Sequence, residues 1–290
     1  GEVLGVIHVA DVEGGGFTPA DVDLLRAMAA PAAIILQNTR MHEESLLRDR
    51  LKYDLELAAE IQRSFLPREL ISAEGVALFA EYRAAYGVGG DFYDVFWVGP
   101  DKLGVFIGDI SGKGVSAALV MARTSSDFRS AALALVDPVA VLGAVNKAVI
   151  ARQQPELFFT GVYFTFDVKT GEVVLANAGH PLPYICHPRG GADPVTGGGA
   201  CAVGILDDPT FSATRFCLEV GDALVLYTDG VIEAPNRRGE LYGDERLVRC
   251  LAGTGSRPEA IAEQLLRSVD EHSADVTVRD DLTLFICQRR

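Results

Sequence analysis

The chain of 290 residues is 49% hydrophobic and 23% charged, with a formal net charge of −14. That is the balance of an ordinary folded protein, long enough for one large core or for a domain of about 200 residues with an appendage. The acidic excess excludes nucleic acid as a main partner and disfavours an anionic membrane surface, because both are bound through clustered Lys and Arg. A phosphorylated substrate would have to be attracted by bound cations instead. Cys186, Cys201, Cys217, Cys250 and Cys287 stand singly with no C-x-x-C pair. Such spacing points to reduced thiols and a cytoplasmic setting. No secretory leader is visible, and the apolar run AMAAPAAIIL at 27–36 is too short to cross a bilayer.

Residues 2–10, EVLGVIHVA, alternate and are β-branched, which predicts a strand. Gly14, Gly15 and Gly16 break it, and a helix is expected next, with Thr18 as N-cap and Pro19 at its first position. Residues 1–40 resemble the closing strand and helix of a GAF sensor domain. Because Gly1 opens directly in the strand-like run, we expect the chain to be part of a longer protein. Residues 41–66 contain no Gly or Pro and predict a linker helix ended by Pro67. Leu47, Leu51, Ala58, Ile61 and Phe65 fall at alternating four- and three-residue steps, with Asp54 the one polar exception. That spacing fits a coiled-coil seam and a homodimer, or an amphipathic helix packed on its own domain.

From 71 onward strands lead: GVALFAEYR, DFYDVFWV and KLGVFIGDI. Helices are expected at about 114–134 and 138–153, separated at Asp137-Pro138. The pair FFTGVYFTFDV and EVVLANAG, joined by a KTG turn, predicts a hairpin. PLPYICH and DALVLYTDG follow, then short helices at about 243–252 and 257–272, and a last strand DLTLFICQ. Strand groups separated by helices predict an α+β fold with largely antiparallel sheets.

Four aspartates lie at the mouths of these strands. Asp109 (VFIGDISGKG) and Asp229 (LVLYTDGVIEA) end apolar runs; Asp91 (VGGDFYDVF) and the Asp280-Asp281 pair (VRDDLTLFI) begin them. A carboxylate at the end of a buried strand is costly unless it is paired or binds a metal. Hard divalent ions prefer such oxygen-rich surroundings, and two of them can activate a water and clamp a phosphoryl group. The Gly-Lys pair at 112–113 is not a phosphate-binding P-loop. Ile107 stands where that motif needs its first glycine, and Gly114 where it needs Ser or Thr.

In order and content, the run from AAEIQRSFLP through VGGDFYDVF, GDISGKGVSAALVMA, the NAGHPLPYI hairpin, LVLYTDGVIEA and RDDLTLFIC resembles the SpoIIE/RsbU branch of the PPM-type protein serine/threonine phosphatases. The resemblance implies an α-β-β-α sandwich over 71–290, preceded by a linker over 41–70, with two Mn²⁺ or Mg²⁺ ions at one end of the sheets. It implies that Asp109 serves both ions, that the Ile110 carbonyl reaches one through water, that Asp91 serves the first, and that Asp229 and Asp280 complete the second. Asp280 is favoured over Asp281 because it directly precedes the Asp-Leu-Thr tripeptide, and the choice between them stays open. Arg83 is too far upstream of the first acid box to match the phosphate-holding arginine of eukaryotic relatives. The implied substrate is a phosphoserine or phosphothreonine on a STAS-type anti-sigma factor antagonist, under control of an upstream sensor. Two other readings were weighed. GGDFYD has a short likeness to the box of diguanylate cyclases, and a non-catalytic signalling module would use the same surfaces without turnover.

Overall fold

The computed structural model describes residues 3–10, 16–85, 87–152, 158–255, 257–274, 276 and 280–290. The chain divides into two compact units, residues 1–57 and 58–290.

The strand expected over 2–10 does not form: residues 3–10 carry no β pairing, and residue 2 lies outside the described residues. A strand is stable only when a neighbour takes up its backbone N–H and C=O groups, and no described residue of the first unit does so. The two helices expected on either side of residue 40 are one, α1 (Pro19–Arg63), of 45 residues. Nothing around residue 40 breaks it. It starts as expected at Thr18, whose backbone N–H and hydroxyl both donate to Asp21 (2.8 and 2.7 Å). These bonds hold the exposed Asp21 carboxyl below its ordinary pKa and form a reciprocal cap. Of the proposed seam, Leu47, Leu51, Ile61 and Phe65 are exposed. Within the second unit, the buried residues of this stretch are instead Ala59, Gln62 and Leu66.

The second unit is built on two sheets. One has the order β1 (Val76–Arg83), β11 (Leu282–Arg289), β10 (Ala223–Tyr227), β6 (Tyr184–Cys186), β7 (Ala192–Pro194). The other runs β2 (Asp91–Trp97), β3 (Lys102–Ile110), β4 (Phe159–Asp167), β5 (Glu172–Ala178), with β8 (Gly199–Ala200) and β9 (Ala213–Cys217) both on β5. Among the described residues, only the two-residue β5–β8 pairing is parallel. Strand alternation divides the side chains between two cores. Leu224, Leu226, Phe285 and Cys287 point between the sheets, whereas Ala223, Val225, Tyr227, Leu284 and Ile286 point outward. The outward face is covered by α5 (Gly243–Ala252) and α6 (Pro258–His272). On the other sheet, α2 (Val115–Leu135) and α3 (Pro138–Ile150) close the outer layer. β3 is therefore covered on both faces, which is why its middle, Leu103 to Ile107, is an unbroken buried run. Phe106 stacks on Phe128 of α2 with ring centroids 3.8 Å apart.

The α-β-β-α order is as expected, with differences at the edges. The helix expected to reach 153 ends at Ile150, and residue 153 lies outside the described residues. Asp137 caps it by accepting from the Ala140 N–H at 3.0 Å. The Gly-rich segment 190–200 contributes β7 and β8, and β9 is an added edge strand whose exposed, weakly apolar pattern gives little signal.

Candidate active site

The β2–β3 register makes Asp91 and Asp109 direct cross-strand partners, so both carboxylates leave the same face at one end of that sheet. β10 and β11 are neighbours in the facing sheet. Thr228 ends the first, and Asp229 opens a one-turn helix, α4 (Asp229–Ile232); Asp280 and Asp281 precede the second. Four chain segments far apart in sequence thus bring their acids to the same end of the sandwich.

Asp91 joins the two sheets. Its side chain is 1% exposed, and Oδ2 accepts from the hydroxyls of Thr228 at 2.6 Å and Thr283 at 2.7 Å. The Thr283 N–H in turn donates to the Thr228 hydroxyl at 2.8 Å. Oδ1 is buried with no hydrogen-bond partner. Burial, with the neighbouring charge of Asp109, holds the Asp91 carboxyl well above the usual range despite the two threonines. Asp109 is pushed up to about 7 by burial and by the charge of Asp229. Burial and Glu233 raise Asp229.

Asp280 and Asp281 face different ways. Asp281 is buried and accepts from the backbone N–H of Ala85 and of Gly90, each at 2.8 Å. Burial raises its pKa, and those two N–H groups oppose the rise. Asp280 is half-exposed and receives the Lys113 ammonium at 2.6 Å. Asp281 thus braces the loop before β2, and Asp280 is presented outward. Val278 and Arg279 of that motif lie outside the described residues.

Gly89 and Gly90 are required by this crowding. A Cβ on Gly89 would lie 2.1 Å from Asp281 Oδ2, and one on Gly90 would lie 2.6 Å from the Ile110 carbonyl oxygen and 3.0 Å from Asp109 Oδ1. The Ile110 N–H also donates to the Gly90 carbonyl at 3.3 Å. From α1, the buried Gln62 side chain donates to the Gly89 carbonyl at 2.5 Å and accepts from its N–H at 3.0 Å. Thr228, Thr283 and Gln62 were not singled out from sequence. A Thr beside each downstream acid and a lone amide in the buried stripe Ala59–Gln62–Leu66 were the available signals.

Three further polar side chains near these motifs have structural partners. Asp94 is buried and held by Arg129 of α2 through two 2.7 Å bonds, away from the acid cluster. Arg83 binds Asp270 and Glu81. His180 is a turn residue: its N–H donates to Asn177 at 2.8 Å and its ring meets the Thr160 hydroxyl at 2.9 Å. Burial pushes its pKa down to about 3, so the ring is neutral and unsuited to act as a general acid.

The donor set fits hard divalent cations. It is all oxygen, it holds an orphaned buried carboxylate oxygen, and its acids are raised by burial and by mutual repulsion, which a cation would relieve. Among the described residues, no three His, Cys, Asp or Glu side chains are grouped closely enough to ligate one ion as they stand.

Residues 99–290 match the family described as Stage II sporulation protein E (SpoIIE). The chain is 24% identical over 244 residues to the phosphoserine phosphatase RsbU of Bacillus subtilis, covering 84% of this chain and 72% of that protein. Its fold is that of the SiaA-PP2C domain of Pseudomonas aeruginosa, with TM-score 0.75 and 23% identity, covering 84% of this chain and 98% of that one. The structure of the RsbU and RsbW domains of Rv1364c from Mycobacterium tuberculosis is 31% identical, with TM-score 0.65, covering 74% of this chain and 60% of that one. The chain spans between 42% and 72% of the length of the curated relatives it matches.

Proposed function

The chain belongs to the SpoIIE family, and on that footing we propose that it is a metal-dependent phosphatase for phosphoserine or phosphothreonine on a regulatory protein. The observation that carries this reading is the convergence of Asp91, Asp109, Asp229 and Asp280 from four strand ends onto one rim. With the Ile110 carbonyl, they would hold two ions, Mn²⁺ or Mg²⁺. Bound there, such cations supply Lewis-acid chemistry: they lower the pKa of water and neutralise charge developing on phosphoryl oxygens.

The chain's own residues hold that chemistry in place. Thr228 and Thr283 orient Asp91. Asp281 and Gln62 fix the Gly89-Gly90 turn against Ile110. Rigid bracing of this kind keeps charged groups oriented before substrate arrives. A regulatory protein as substrate is supported by the relative that carries RsbU and RsbW domains in one chain, and the STAS-type anti-sigma factor antagonist implied by the sequence resemblance is the substrate we propose. Residues 1–40 as the end of a GAF-like sensor and 41–70 as a linker would place control upstream. Exposed Leu47 and Leu51 support a homodimer through α1. Sedimentation should give a dimer that Leu51→Asp dissociates; a monomer unchanged by that substitution removes the dimer.

The cyclase reading has no support in the geometry, because both glycines of GGDFYD are used by close approach to Asp281, Asp109 and Ile110. Among the described residues, no helix is long and apolar enough to cross a membrane. The deciding experiment is Mn²⁺-dependent phosphate release from an aryl phosphate and from a phosphoserine protein. Loss of release in Asp109→Ala and on chelation supports the proposal. Turnover that survives both, or GTP consumption without phosphatase activity, overturns it.

A further inference from the structure

We propose that Lys113 is a substrate-binding residue of this site: its ammonium rests on Asp280 in the metal-free protein and passes to the substrate's phosphate when a divalent cation takes Asp280. The proposal rests on the metal-dependent reading above and adds to it a residue and an order of events.

Lys113 Nζ lies 2.6 Å from Asp280 Oδ2. Its positive charge also acts on Asp229 and on Asp281, so one ammonium serves three carboxylates at the rim. Among the described residues, Arg83 is committed to Asp270 and Glu81, and Arg129 to Asp94. A carboxylate oxygen 2.6 Å from an ammonium cannot offer the same lone pair to a hard dication. The ammonium and a dication therefore compete for Asp280, whose Oδ1 already accepts from the Asp281 N–H at 3.0 Å.

The exchange is inexpensive. Both side chains are partly exposed, 58% for Lys113 and 37% for Asp280, and an ion pair in that setting contributes little. The ammonium sits on a long flexible stem. It is flanked by Gly112 (φ 101°) and Gly114 (φ 75°), with open space where either Cβ would stand. Once Asp280 is taken, the new anion that the reaction brings to this rim is the phosphate of the substrate. Lysine binds phosphate as a point charge, without needing the fixed fork of an arginine.

The test uses the whole chain with Lys113→Met and Lys113→Arg, with Mn²⁺ uptake followed by calorimetry in the absence of substrate. Lys113→Met should take up Mn²⁺ about two- to fivefold more tightly than the wild type, because the competing ammonium is gone. At saturating Mn²⁺ its KM for a phosphoserine peptide should rise about tenfold, with kcat within about twofold. Lys113→Arg should restore most of the KM. Unchanged Mn²⁺ affinity together with unchanged KM overturns the proposal, as does a fall in kcat without a change in KM. No Mn²⁺ uptake by the wild type would instead overturn the function proposed above, and this exchange with it.

Discussion

The acids contributed by the two sheets lie side by side yet are held in different ways. Asp91 and Asp109 are strand residues, aligned by β2–β3 register, buried, and raised in pKa by burial and by like charges. Asp229 and Asp280 lie beyond their strand ends, in a one-turn helix and a loop, and Asp280 is free enough to meet Lys113. The deep pair is positioned by backbone hydrogen bonds before any ligand arrives, at a cost in stability. Of the outer pair, Asp280 is held by the end of the flexible Lys113 side chain. Precision and adaptability are thus divided between the facing sheets.

That division is sharpest in a pair of substitutions. Asp91→Asn should cut phosphate release by about 10²–10³-fold. The same change should raise the denaturation midpoint of the metal-free protein, because an amide accepts from Thr228 and Thr283 without burying a charge. Asp280→Asn should also lose turnover, but shift metal-free stability by less than about 1 kcal/mol, the size of one exposed ion pair. Equal stability changes in the two variants would break the comparison.

Removing the support of the deep pair is the next test. Thr283→Val leaves one fewer donor on a buried carboxylate and should destabilise the fold by about 1–3 kcal/mol in chemical denaturation. A change within about 0.5 kcal/mol would place Asp91 in a wetter setting than the structure gives it.

The pH dependence follows from Asp109, whose carboxyl is pushed up to about 7 in the folded chain. The folded state then holds a proton that the unfolded chain releases near pH 4. Metal-free stability should fall as pH rises from about 4 to about 7, the reverse of an ordinary salt-bridged aspartate. Denaturation midpoints across that window check the sign, and saturating Mn²⁺ should flatten the trend.

The smallest effect lies away from the rim. Val136 joins α2 to α3 with φ 60°, and the Asp137 N–H donates to the Leu135 carbonyl at 2.6 Å, a tight γ-turn centred on a β-branched residue. Val136→Gly relieves that strain and, after the entropy of the added glycine, should stabilise the protein by about 0.5–1 kcal/mol without altering turnover.

Much of this molecule was legible one residue at a time. Apolar runs announced β3, β10 and β11, and Thr18, Asp137 and Pro138 marked helix ends. The acids stood out because carboxylates at the mouths of apolar strands are chemically conspicuous. The strand expected at 2–10 failed on residues 3–10 for a complementary reason: its pattern was right, but a strand also needs a neighbour.

Local preference therefore determined the elements and the residue types at their ends, since propensity and periodicity act within a few residues. Only the folded chain decided which acid faces inward. Asp281 rather than Asp280 turns to Gly90 because a loop 191 residues away offers it two N–H donors. Only the fold placed Thr228 on Asp91, across 137 residues of chain. Long-range partners satisfy buried polar groups, and no local pattern records which partner will arrive.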